Sequence, residues 1–270
     1  MNKKLKLMAI GAHPDDCDHC VGGTALKLVA NGHEVKFLSV TNGCCGHQII
    51  GGGALVKRRY AEAQQCAAIV RLSYDFLDID DCAVVPDLTT RKLITKAIRE
   101  FSPDIIITHR PNDYHPDHRN TSMLVQDSAY LLSVPMYCPL TPAMEKMPII
   151  MYTEDSFNRP YPFNADMVVD VSDCIQTKTC MMDCHKSQYY EWLPWIRGSI
   201  KEVPVDEKER FEWLFKKIQG DDIYTANRFR SQLIEKYGEQ GKITVCAEAF
   251  ELSEYGKTPS HSELLNLFNF

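Results

Sequence analysis

Two short blocks crowd imidazoles and carboxylates into a few residues: Ala12-His13-Pro14-Asp15-Asp16 and His115-Pro116-Asp117-His118. Imidazole nitrogen and carboxylate oxygen are donors that suit Zn²⁺. Two histidines with one carboxylate make a catalytic set when a coordination position stays open for water. His13, one of Asp15 or Asp16, and one of His115 or His118 can supply three ligands to one ion. The carboxylate left over would stand beside the open position, able to take a proton from water. The histidine left over would face a substrate oxygen, with Asp117 fixing its tautomer through the far ring nitrogen. Each residue alone has a plainer reading, because Asp at a strand-to-helix junction commonly caps the helix. Several such residues at two converging strand ends favour a site.

Hydrophobic periodicity shows the elements that must position these blocks. Leu5–Ile10 reads as a buried strand leading into the first block. Asp104–Thr108, with Ile105-Ile106-Ile107, reads as another before the second. Between them the spacing predicts a helix over Asp16–Asn31 stopped by Gly32, a strand over Val35–Thr41 and a glycine-rich loop over Asn42–Gly53. A helix over Ala54–Val70, a short strand over Asp75–Leu77 and a helix over Leu88–Phe101 follow. His109–His115 reads as a loop, and Pro116 opens a helix to about Leu132.

Strands alternating with helices predict an α/β protein: a Rossmann-like three-layer fold with a mainly parallel sheet. Ligands in such sheets bind beyond the carboxyl ends of the strands, where the winding direction switches. In the commonest order the first strand and Asp104–Thr108 lie side by side at that switch. The two blocks, roughly a hundred residues apart, would meet there. Past Val134 the pattern weakens. Strands are expected at Ile149–Tyr152, Met167–Val171 and Thr244–Leu252, and helices, with breaks, over Asp173–Gln188 and Glu207–Tyr237. The expectation is one domain over 1–270, with a core of about 1–134 and a portion 135–270 that completes the sheet and caps the site.

The chain has 270 residues, 44% hydrophobic and 24% charged, with a formal net charge of −6. No basic run points to nucleic acid. No segment approaches the ~18 apolar residues of a membrane span. The lysines and short apolar run at the start read as the first strand, not as a signal peptide. The 11 cysteines are scattered, which suits a reducing cytoplasm. Cys17-Asp18-His19-Cys20 is formally C-x-x-C but falls within a helix and has no second pair, so it reads as neither redox nor metal site.

With both blocks in view, the chain resembles the PIG-L, or LmbE-like, superfamily of zinc-dependent N-deacetylases. Arg59-Tyr60-Ala61-Glu62 looks like that family's R-x-x-E helix, His185-Lys186-Ser187-Gln188 its H-x-S-Q segment, and Ala247-Glu248-Ala249-Phe250 its closing strand. The resemblance implies one zinc ion held by His13, Asp16 and His118. It implies Asp15 as general base that later returns its proton to the leaving amine. His115, oriented by Asp117, would stabilise the oxyanion or share the acid role. The reaction implied is hydrolysis of an acetamide on an N-acetylated amino sugar, giving acetate and a free amine. One departure stands out: the family's T-x-G-E after the second strand is Thr41-Asn42-Gly43-Cys44 here. A thiol cannot replace a carboxylate as acceptor for sugar hydroxyls, so specificity is expected to differ around Gly43–Gly53.

Arg59, Asn112, Tyr114 and His185 are candidate substrate contacts, and Arg110 and Asp113 share the loop before His115. His19 reads as structural rather than as a fourth ligand. Asp80-Asp81 and Asp221-Asp222 read as solvated turns or caps. The aromatic run Tyr189–Trp195 fits packing or a homo-oligomer interface better than sugar stacking. Two rival functions use the same residues. A non-haem Fe(II) enzyme shares the two-His-one-carboxylate set but needs no adjacent base, and a glycan-binding module would not need Asp15.

Overall fold

The computed structural model describes residues 4–270; residues 1–3 of the expected 1–270 unit lie outside the described residues. Five parallel strands are joined by helices in the order β1 (Lys6–Gly11), α1 (Asp16–Ala30), β2 (Glu34–Thr41), α2 (Gly52–Val70), β3 (Ser73–Ile79), α3 (Leu88–Phe101), β4 (Ile105–Thr108), α4 (Pro116–Leu131) and β5 (Ile149–Thr153). The chain continues through β6 (Met167–Asp170), α5 (Ile175–Cys184), α6 (Leu193–Ile196), α7 (Glu207–Arg228), α8 (Arg230–Tyr237), α9 (Glu239–Ile243), β7 (Ala247–Leu252) and α10 (His261–Leu267). The seven-stranded sheet has the order β3-β2-β1-β4-β5-β7-β6. Only β7 runs antiparallel, between β5 and β6.

Strand periodicity divides the core. Leu7 and Ala9 of β1 join Ile105 and Ile107 of β4 on the face covered by α1, α2, α5 and α7. Met8 and Ile10 point the other way, with Ile106, to meet Ile94 and Ile98 of α3 and Leu124 and Val125 of α4. Both faces are covered, so β1 and β4 read as unbroken apolar runs. Ile10 stands opposite Thr108, and the winding reverses between these two strands. The segments that leave them therefore emerge side by side. Among the described residues no helix is long and apolar enough to cross a membrane.

The expected break within 207–237 falls at Phe229, whose backbone (φ −112°, ψ 34°) leaves the helical region. Two other features differ from expectation. The last strand starts at Ala247, not Thr244, because the Val245 and Cys246 amides donate to Ser172 Oγ instead of to the ladder. The C-terminal α10, opened by a Ser260–Glu263 capping box, was not foreseen.

Candidate active site

The two blocks meet at the β1/β4 edge. His13 Nδ1 lies 3.2 Å from His118 Nε2 and 3.4 Å from Asp16 Oδ2. His118 Nε2 lies 3.5 Å from Asp16 Oδ1. A four-coordinate ion with bonds of about 2.0–2.2 Å needs donors about 3.3–3.6 Å apart. The two ring nitrogens and the two Asp16 oxygens stand 3.2–3.5 Å apart, so these residues can gather around a divalent cation. Gly11 allows the close approach: a Cβ there would lie 2.7 Å from Asp16 Cβ.

The far nitrogens of both rings are occupied by carboxylates. His118 Nδ1 donates to Asp113 Oδ1 at 3.0 Å. His13 Nε2 faces Asp81 Oδ1 at 3.1 Å and Asp117 Oδ2 at 3.4 Å. A neutral ring that donates from one nitrogen keeps a lone pair on the other. Two lone pairs and a carboxylate thus point at one spot. Burial opposes a charge on His13, yet Asp117, Asp16 and Asp81 hold its pKa well above the ordinary range. Burial would raise Asp16, but the imidazoles of His118, His109 and His13 hold it well below the carboxylate range. The corner draws in a positive charge.

Asp15 occupies the N-cap of α1, yet its side chain makes no cap hydrogen bond. Its Oδ1 instead accepts from Arg59 Nη2 at 2.7 Å, and no donor among the described residues reaches Oδ2. The helix-capping reading of Asp15 is thereby excluded. Arg59 is 2% exposed, and its Nη1 donates to the Gly43 carbonyl. Gly43 has φ +69°, and a Cβ there would lie 2.5 Å from that Nη1. The family-like Arg59 and Gly43 therefore fit together beneath Asp15.

Other expected residues fall differently. His115 caps α4, its Nδ1 accepting the Asp117 amide, so a neutral ring carries its proton on Nε2. Its ring meets His13 edge-on at 4.5 Å. The Asp117 carboxylate does not orient His115. It accepts from the Cys82 and Val84 amides and faces His13, because the first turn of α4 directs it away from the capping ring. Arg59, expected as a substrate contact, is buried with Nη1 and Nη2 engaged beneath Asp15 and does not line the cavity. Asn112 donates to the Arg159 carbonyl and does not line the cavity. His185 is fully buried beneath α1, its Nε2 3.4 Å from Asp18 Oδ2. There it joins Cys66, whose thiol also donates to Asp18. Tyr114 does line the cavity; it is 70% exposed and stands edge-on to His115 and His118.

The cavity has a volume of about 310 Å³ and contains Asp15, Asp16, His19, Asp113, Tyr114 and His118 along its edge. Its opposite walls come from 153–157 and from residues between 189 and 221. None of residues 43–53 lines it, so the expected specificity loop lies elsewhere. That loop is instead fastened by His47 to Glu191 and by Gly46 to Gln188. The Cys44 thiol is buried beside Cys45. The weaker family-like segments lock together as well, since Glu62 accepts from both the amide and hydroxyl of Ser187. In the aromatic run, Trp192 and Trp195 stack on each other and Tyr189 reaches the cavity.

Three residues were missed as parts of the site. Asp81 was read as a turn but is buried behind His13. Asp113, noted only as a loop residue, holds His118. His109 stacks on His118 at 3.9 Å with Nε2 3.2 Å from Asp16 Oδ2. The available signal was position: His109 is the first residue after the apolar run of β4. Asp222, also read as solvated, is buried against Lys178.

The sequence profile of the family described as PIG-L, GlcNAc-PI de-N-acetylase, matches residues 8–129. A diacetylchitobiose deacetylase from Thermococcus kodakarensis is 28% identical over 209 residues, 73% of this chain and 76% of that protein. A mycothiol S-conjugate amidase from Streptomyces coelicolor is 26% identical over 190 residues, 59% of this chain and 64% of that protein. The solved N,N'-diacetylchitobiose deacetylase from Pyrococcus horikoshii superposes with a TM-score of 0.70 at 23% identity, covering 92% of this chain and 83% of that one. The 4-carboxy-2-hydroxymuconate hydratase GalB from Pseudomonas putida KT2440 shares the fold, with a TM-score of 0.72 at 16% identity over 96% of this chain and 99% of that one. Residues 8–129, which carry both donor blocks and Arg59, form a PIG-L family domain.

Proposed function

We propose that this protein is a zinc-dependent N-deacetylase that hydrolyses the acetamide of an N-acetylated amino sugar, or of its conjugate, to acetate and a free amine. The observation that carries this reading is the donor triangle with the uncapped Asp15 beside it. Fold alone does not decide the reaction, since a hydratase shares it. The relatives with the higher identities are by name a deacetylase and an amidase, which supports amide hydrolysis.

His13, Asp16 and His118 would hold the ion, and this donor set suits zinc. When bound, a divalent ion there supplies a lowered water pKa and a polarised carbonyl. Asp15 Oδ2 takes the proton from the attacking water while Arg59 holds Oδ1 in place. The same carboxyl then gives that proton to the departing nitrogen, because an amide anion is too poor a leaving group. His115 Nε2–H donates to the carbonyl oxygen as it gains charge. Asp81, Asp117 and Asp113 keep the His13 and His118 tautomers fixed. A glycan-binding module would need no such base, and an oxygen-dependent iron enzyme would need no Arg59-held carboxylate. The cysteines are free thiols, in keeping with a reducing cytoplasm.

The test is detection of new primary amine and acetate from free, glycosidic and thiol-linked N-acetyl amino sugars with zinc-replete protein. Stoichiometric amine and acetate from at least one class is expected. No amine from any class, with turnover of a compound lacking an amide, would overturn the reading.

A further inference from the structure

The cavity walls differ in how their charges are satisfied. Asp15 is paired with Arg59, Asp113 with His118, Asp155 with Arg110 and Glu154 with Arg228. The wall built by α6, the turn after it and α7 presents Arg197 and Lys217. Neither side chain has a hydrogen bond or ion pair with a described residue. Lys217 Nζ rests 4.5 Å from the centre of the Trp213 ring, which holds the ammonium without using its N–H groups. Asp221, one turn further along α7, also lines the cavity and forms no ion pair with either cation. This wall therefore carries a net positive charge, with apolar surface from Leu193 and Trp213 beside it.

We infer that this wall is a subsite for an anionic group, a carboxylate or a phosphate ester, carried by the substrate beyond its acetamide. The inference rests on the deacetylase reading and names the substrate class for it. Arg197 offers a planar fork to either oxyanion and Lys217 a point charge. Both residues are solvent-exposed, so the preference they confer is screened by salt. They lie outside residues 8–129, so the two donor blocks carry no sign of this selectivity.

The test uses the full zinc-loaded chain and three glycosides of N-acetylglucosamine with one linker, ended in a neutral amide, a carboxylate or a phosphate monoester. The expected result is a kcat/KM about tenfold higher for an anionic compound than for the neutral one at low ionic strength, shrinking as salt rises. Comparison of the two anionic arms identifies the oxyanion. Arg197→Gln and Lys217→Gln should each reduce the ratio several-fold and together erase it. Lys201→Gln, on the same segment but off the cavity, should leave the ratio as it was. A wild-type ratio within twofold of one, or a preference that survives the double substitution, overturns the subsite. If none of the three is hydrolysed, the deacetylase reading is judged separately, on the panel of free, glycosidic and thiol-linked sugars. Calorimetric binding of the same compounds then decides the subsite: tighter anionic binding lost in the double variant supports it, and equal binding refutes it.

Discussion

Two buried charged clusters in this molecule are built on opposite principles. Lys178 lies between Asp222, at 2.9 and 3.0 Å, and Glu248, at 2.8 Å. Glu248 also accepts the Gly23 and Thr24 amides. Every charge there has its partner, and the cluster ties α1, α5, α7 and β7 together. At the β1/β4 edge the far nitrogens of His13 and His118 are committed to carboxylates, so two lone pairs and Asp16 confront one another at 3.2–3.5 Å. On the proposed reading a cation completes that cluster. A closed network holds a fold together, whereas an electron-rich corner with a water-accessible base next to it performs chemistry.

The sharpest division between the two comes from Asp15. Asp15→Asn should keep the metal yet lower kcat by roughly 10²–10⁴, since an amide cannot accept the proton. Amine release and metal content measured on one preparation check both halves. An active Asp15→Asn protein would erase the distinction.

Lys178→Met probes the closed cluster. It leaves Asp222 and Glu248 buried without their ammonium, and losing one partner of a buried pair costs about 3–5 kcal/mol. For a chain of this size that is a fall in Tm of about 10 °C. Metal content should not change in the protein that remains folded. Loss of metal with an unaltered Tm would reverse the assignments of the two clusters.

Asp81→Asn and Asp113→Asn act on the open corner through the rings they hold. Removing such partners of a ligating histidine typically weakens metal affinity about 10–100-fold. Competition with a chelator measures this directly. Asp113→Asn should shift the NMR signature of His118 and leave that of His13 in place, and Asp81→Asn should do the converse.

How far the sequence discloses each cluster follows from how each is assembled. The open corner is legible because its donors sit within two runs of a few residues, each just past a β-branched strand. Parallel pairing of β1 and β4 brings the runs together. The partners behind the rings are less legible. Asp81 arrives from the end of β3, two strands away, and an Asp-Asp pair in sequence resembles a turn. Asp117 suggests its neighbour His115, but the first turn of α4 aims it at the Cys82 and Val84 amides and at His13. The closed cluster is illegible because Lys178, Asp222 and Glu248 come from three elements of the last third. There β7 inserts antiparallel between β5 and β6, a pairing that no local pattern specifies. His185 shows the same limit: a polar residue in a family-like segment, it is drawn beneath α1 by Asp18.

The smallest effect concerns pH. Burial, eased by Lys178 and worsened by Glu248, raises the Asp222 carboxyl from 3.8 to about 6. Between about 4 and 6 the folded chain then holds a proton that the unfolded chain has released. The stability from this group is present at the acid end of that window and declines as pH rises through it. The slope of Tm against pH across that range should flatten in Asp222→Asn. An unchanged slope would show that Lys178 keeps Asp222 ionised throughout.

The central claim is that His13, Asp16 and His118 form the cation site. Its most direct test is equilibrium dialysis of the metal-stripped chain against zinc at neutral pH, with metal and protein counted on the same sample. The account expects one tightly held equivalent in the unaltered chain and in Lys178→Met, and none in folded His13→Ala or His118→Ala. A full equivalent retained by either histidine variant would contradict it.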